Sequence, residues 1–219
     1  MPLDWSQWTV VLDLDDTLYP EAEYQASGYR FLVNMLCLFY NLDQDRLESL
    51  VDEGGDVLGS LANYLGVPES KESLLWAYRL HHPAIALTPD SREFLACVEG
   101  RAAGIYIVTD GRAITQRLKL SALGISHFPA LISEEFGGQE KPSFSRFLEI
   151  QEKSPTDNYL YIGDNVAKDF LAPNKLGWTT IGRRPSVLSI HKNGLPNSYP
   201  NEYHPTFWVE KLTEVEALF

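Results

Sequence analysis

The 219-residue sequence has only two cysteines, no long apolar run, no internal repeat, no low-complexity tract and no heptad pattern. Cys37 and Cys97 lie far apart in apolar stretches and belong to no CxxC or ligand-spaced cluster. That excludes a disulfide framework and a cysteine metal site, and leaves two buried thiols in a reducing compartment as the expectation. The longest apolar stretch, Phe31 to Tyr40, is about half the length needed to cross a bilayer and contains Asn34. The opening Met1-Pro2-Leu3-Asp4-Trp5 lacks the basic start and apolar centre of a signal peptide. A soluble, cytoplasmic protein with no membrane contact is expected.

Positive charge is also scarce. Lys and Arg number 18 against 30 Asp and Glu, a formal net charge of −12. No basic run offers a footprint for a phosphate backbone, so nucleic acid is not an expected partner. Hydrophobic residues make up 44% and aromatics 12%, enough for a sizeable core and against general disorder. The length suits one large domain, or one domain carrying an insertion.

Short β-branched and apolar runs recur at 8–14 (WTVVLDL), 104–108 (GIYIV), 130–132, 159–162 (YLYI) and 178–181 (WTTI). They read as buried parallel strands. Helical stretches separate them: one opening at Pro89-Asp90, one closing at Gly124, one with Pro142 at its first position. This alternation predicts an α/β fold, a Rossmann-like doubly wound parallel sheet. Residues 20–88 break it. They read as helices over roughly 21–41, 44–65 (interrupted at Gly54-Gly55) and 69–80. The expected organisation is a sheet domain from 1–19 and 89–219, with a C-terminal extension from about 183, and an all-helical insert at 20–88. Such an insert enters where ligand-binding loops cluster, at the carboxyl ends of the strands.

The stretch VVLDLDDTLYP, residues 10–20, sets three aspartates directly after an apolar run. Carboxylates this close repel one another, so their clustering calls for a neutralising partner. If the strand runs through them, Asp13 and Asp15 share one face. A divalent cation would remove the conflict, and hard oxygen ligands favour Mg²⁺. Later strands end in comparable groups: IVTDGR places Thr109, GGQEKPS places Lys141, and YIGDNVAKDF places Asp164 and Asp169. In an open parallel sheet these ends share one edge, and the set suits a phosphoryl group with its metal.

This ordered set resembles the haloacid dehalogenase-like hydrolase superfamily in its helical-cap, phosphatase branch. The matching motifs are Asp13-Leu14-Asp15-Asp16-Thr17, Thr109, Lys141, and Gly163-Asp164-Asn165 with Asp169, spanning about residues 8–182. The resemblance implies that Asp13 is a nucleophile forming an aspartyl-phosphate. Asp15 is then the general acid and base. Mg²⁺ is held by Asp13, the backbone carbonyl of Asp15, and Asp164. Thr109, Asp110 and Lys141 hold the phosphoryl group, and Asp169, Thr17 and Asn165 support from behind. The implied substrate is a small phosphorylated metabolite. A sugar phosphomutase, which keeps both aspartates, and a non-catalytic binding protein on the same fold are the alternatives. A dehalogenase or a phosphonate-cleaving enzyme would lack Asp15, and the insert holds a single lysine, Lys71.

Bland readings are expected elsewhere. Asp16 is read as a solvated loop acid, Arg112 as a helix-start residue facing solvent, and His81 and His82 as structural. The aromatics Tyr24, Tyr29, Phe31, Phe39 and Tyr40 are read as cap core. The segment 183–205, with four prolines, has no assigned role.

Overall fold

The computed structural model of the chain describes residues 3–186 and 199–219. Six parallel strands form one sheet in the order β3-β2-β1-β4-β5-β6. They are β1 (Trp8–Leu12), β2 (Gly104–Thr109), β3 (Ala130–Ile132), β4 (Asn158–Gly163), β5 (Thr179–Arg183) and β6 (Phe207–Val209). The chain builds outward from β1 to β3, then continues from β4 on the other side of β1. Strand order therefore reverses between β1 and β4, the place where open α/β sheets bind ligands.

The register explains how the strand ends meet. Leu12 lies opposite Ile107 of β2 and Ile162 of β4, so the three strands end within two residues of one another at the same edge. Val10, Val11 and Leu12 are fully buried, as expected for a central parallel strand covered on both faces. Full burial of such a side chain contributes about 1.5–3 kcal/mol. On one face Val11, Val108, Tyr161 and Trp178 pack with Phe147 and Ile150 of α7 (Ser145–Lys153). The other helices of this unit are α5 (Pro89–Val98), α6 (Ala113–Ala122) and α8 (Leu171–Lys175). Thr88 caps α5, its hydroxyl accepting from Ser91 N, and Gly124 takes φ +75° just beyond α6.

Contacts divide the chain into two compact units, 1–22 with 86–219, and 23–85. The second is all-helical: most of α1 (Glu21–Tyr40), then α2 (Gln44–Asp52), α3 (Val57–Tyr64) and α4 (Lys71–Leu80). Gly54 and Gly55 take φ +71° and +69°, a backbone that other residues adopt rarely, and this breaks the helix between α2 and α3. Leu32, Leu36, Leu47 and Leu61 form its core. Among the described residues no helix is long and apolar enough to cross a membrane.

Several local expectations are corrected. β1 stops at Leu12, short of the aspartates, and the chain then turns, with Asp16 left-handed at φ +55°. The helix expected to open at Pro142 starts at Ser145. β6 was not legible: it is three residues long and follows a proline-rich stretch of which 187–198 lie outside the described residues. Phe31, Phe39 and Tyr40 are exposed rather than core, at 39%, 72% and 61% of their surface. Both cysteines are half-buried.

Candidate active site

The residues following β1, β2 and β4, with the loop before α7, line one cavity of about 240 Å³. Asp13, Asp15, Thr109, Lys141 and Asp164 all reach it, joined by Glu21, Glu140 and Lys168. Asp13 is fixed by its backbone, whose N–H donates to Ile162 O at 2.9 Å and so continues the β1–β4 pairing by one residue.

Lys141 is the electrostatic centre. Its buried ammonium contacts Asp13 Oδ1 at short range and lies 2.6 Å from Asp169 Oδ1. Burial alone would lower the Lys141 pKa, but Asp13 and Asp169 raise it well above the usual amine value. Asp169 is fully occupied in holding the site together. Oδ1 also accepts from Tyr161 OH, and Oδ2 accepts the backbone N–H groups of Asp164 and Asn165 at 3.0 and 2.7 Å. Asp169 thus orients both Lys141 and the loop that presents Asp164. Asn165 closes that loop, its Oδ1 accepting from Ala167 N at 3.0 Å. The Thr17 hydroxyl donates to Asp13 Oδ2 at 3.2 Å.

One ammonium does not neutralise this cluster. Burial, together with the charges of Asp169 and Asp15 and against the pull of Lys141, pushes Asp13 up to about 7. Burial and the neighbouring Asp169 and Asp13 push Asp164 up to about 9. Carboxylate oxygens of Asp13, Asp164 and Asp169 lie within 4.8 Å of one another, the group close enough to share a metal among the described residues. An all-oxygen set with unneutralised negative charge fits a hard divalent cation. Asp13 and Asp164 line the cavity and Asp169 does not, so those two are the side chains that would hold it.

Asp15 sits apart from that cluster. Its carboxylate faces α6, with Lys119 Nζ 2.7 Å from Oδ1, Gln116 Nε2 2.9 Å from Oδ2, and the Tyr19 hydroxyl donating at short range. Burial would raise Asp15, but the Lys119 charge and these three donors outweigh it and hold Asp15 below the usual carboxylate range. Asp13 and Asp15 are therefore shifted in opposite directions. Lys119, Gln116 and Tyr19 were not singled out in the sequence. The signal was there in helical periodicity, which stacks 116 and 119 on one face of α6.

Asp110 accepts Lys141 N at 3.1 and 3.2 Å and pairs with Arg146 Nη2 at 2.6 Å. A carboxylate repels phosphoryl oxygens, so the side chain of Asp110 serves as an anchor for Lys141 and not as the phosphate ligand implied for it. Arg146, fully buried on α7, also donates to the carbonyls of Thr109 and Leu131. Asp16, read as solvated, is 7% exposed and accepts Glu21 N at 3.0 Å, capping the first turn of α1. Arg112 pairs loosely with Glu134 at 3.6 Å on the surface. In the helical unit His81 is buried, bonded to Tyr78 O and Ser27 Oγ, while His82 is exposed.

The chain matches the family model for haloacid dehalogenase-like hydrolases over residues 10–182. It is 28% identical over 188 residues to a glyceraldehyde 3-phosphate phosphatase of Methanocaldococcus jannaschii, covering 78% of this chain and 82% of that one. It is 27% identical over 209 residues to a ribulose-1,5-bisphosphate 5-phosphatase of Halopiger xanaduensis, covering 82% and 86%. Among solved structures, YfnB of Bacillus subtilis, crystallised with magnesium, superposes with a TM-score of 0.62 at 21% identity, over 96% and 97% of the two chains. With its motifs in order and its strand ends meeting at the switch point, the chain belongs to the haloacid dehalogenase-like hydrolase family.

Proposed function

We propose that this chain is a Mg²⁺-dependent cytoplasmic phosphatase that releases phosphate from a small phosphorylated metabolite. The observation that carries the reading is the meeting of Asp13, Lys141, Thr109 and Asp164 in one cavity at the carboxyl edge of the sheet. The phosphatase relatives support it. Bound between Asp13, Asp164 and the backbone carbonyl of Asp15, Mg²⁺ would neutralise the carboxylates and polarise the phosphoryl oxygens.

Asp13 then attacks phosphorus, forming an O–P bond as the bond to the leaving oxygen breaks. Asp15, in its protonated form, gives its proton to that oxygen. It next takes a proton from the water that attacks the aspartyl-phosphate; the Asp13 O–P bond breaks, phosphate leaves, and both the Asp13 carboxylate and the Asp15 acid are restored for another turnover. Lys119 favours the carboxylate form, the one that activates water. Lys141 and the Thr109 hydroxyl hold the phosphoryl oxygens, with Asp110 and Asp169 positioning Lys141 from the backbone and side-chain sides. The insert, 20–88, is proposed to carry substrate selection.

The test is a panel of phosphorylated metabolites incubated with purified protein in Mg²⁺ and in excess chelator. Phosphate release confined to the Mg²⁺ arm is expected. Full turnover in chelator would refute the metal role, and isomerised sugar phosphate without phosphate release would identify a mutase.

A further inference from the structure

Gln116 is 2% exposed and is not accounted for by the motifs. Its Nε2 lies 2.9 Å from Asp15 Oδ2, 2.8 Å from Thr109 Oγ1 and 2.7 Å from the carbonyl oxygen of Asp110. One amide nitrogen therefore offers two hydrogens to three acceptors, one hydrogen being shared, and links the loop after β1 to the end of β2. Its identity as nitrogen follows from its surroundings. A carboxylate and a carbonyl can only accept, and an amide oxygen there would face both. The other end of the amide, Oε1, is buried with no hydrogen-bond partner among the described residues. Buried side-chain acceptors are usually satisfied, so this side chain is oriented for the site and not for its own hydrogen bonding. Gly111, beside it, takes φ +129°, a backbone that L side chains rarely adopt.

The consequence lies in the polarity of Thr109. An amide nitrogen has no lone pair to offer, so the Thr109 hydroxyl can only accept from Gln116. Its own hydrogen must point elsewhere, and Thr109 Oγ1 has no other partner among the described residues. The direction left open is the cavity that Thr109 lines. We propose that Gln116 is a positioning residue that turns the Thr109 hydroxyl into an obligate donor toward a phosphoryl oxygen, while the same amide holds the Asp15 carboxylate. This rests on the phosphatase reading and adds a residue to it.

The test is a double-mutant cycle on the affinity for inorganic phosphate, measured by titration calorimetry in Mg²⁺ with wild type, Q116M, T109V and the double variant. Q116M keeps the side chain's length and removes its donors. If Gln116 acts through Thr109, Q116M weakens phosphate roughly threefold to tenfold in the Thr109 protein and less than about twofold in T109V. Equal factors in the two backgrounds, or unchanged phosphate affinity in Q116M, would overturn the proposal. Q116E serves where Q116M does not melt cooperatively. It preserves shape, becomes an acceptor for the Thr109 hydrogen, and its added charge is subtracted by the T109V background. Turnover of an aryl phosphate by wild type separates the two readings. A coupled cycle in a protein that binds phosphate without hydrolysing it leaves Gln116 in place and removes the phosphatase. Turnover with an additive cycle does the reverse.

Discussion

The carboxyl edge of the sheet and the helical unit handle polar groups in opposite ways. At the sheet edge Asp13, Asp15, Lys119, Lys141, Arg146 and Asp169 are buried or nearly so, and their charges are set against one another at 2.6–2.7 Å or closer. In the helical unit the core is Leu32, Leu36, Leu47 and Leu61, with Leu38, Phe39 and Tyr40 left at the surface. Burying a charge is costly unless it is paired, so an edge with this many ions tolerates few sequences. A leucine core needs only size and periodicity. The first region is constrained residue by residue, and the second is freer to vary.

The largest effect expected is at the edge. Asp13→Asn should abolish turnover, since the amide is isosteric but a poor nucleophile, while the protein still melts cooperatively. Substantial rate in a preparation free of wild type would place the nucleophile elsewhere. Next is Asp15→Asn, which removes the proton carrier but keeps the backbone carbonyl. Loss of a general acid or base lowers rate by about a hundred- to ten-thousand-fold. In single-turnover phosphorylation an alkyl phosphate should suffer more than an aryl phosphate, whose oxygen departs without a proton. Equal impairment would leave Asp15 as a metal-site residue only.

A smaller effect separates function from stability at the same edge. Asp164 is raised to about 9 from an ordinary 3.8. Its ionised form is disfavoured in the fold, so without metal the protein loses stability as pH rises from about 4 toward about 9. Asp164→Asn removes that loss. In chelator its melting temperature should exceed wild type by about 2–4 °C for each kcal/mol relieved at pH 8, with the gain shrinking toward pH 4. A gain that is absent at pH 8, or equal at both, would contradict the repulsion account. The smallest effect belongs to the other region. Phe39→Ser should change stability by no more than about 0.5 kcal/mol and leave aryl phosphate turnover unchanged. A large loss of either would show that this exposed side chain has a partner.

The same contrast explains what the sequence disclosed. The sheet was legible because its strands are short β-branched runs with helices between, and the site because each strand ends in a group that only chemistry explains. Asp13, Thr109, Lys141 and Asp164 stand out for that reason. Gln116, Lys119 and Arg146 do not, because each sits in an amphipathic helix where a polar residue ordinarily faces solvent. Only the packing of α6 and α7 turns them inward. Asp16 misled for the converse reason: an acid in a loop reads as solvated, and its capping of α1 depends on a left-handed backbone that the residue type does not announce. Phe39 and Tyr40 misled because an aromatic in an apolar run reads as core, whichever face of the helix it occupies.

Asp13, and not the neighbouring Asp15, is proposed to carry the phosphoryl group. Rapid acid quench of the protein with an aryl phosphate and Mg²⁺, followed by peptide mass spectrometry, tests it most directly. The account predicts a phosphoryl adduct on Asp13, enriched in Asp15→Asn, where water is no longer activated, and absent in Asp13→Asn. An adduct on any other residue, or one that survives in Asp13→Asn, would contradict it.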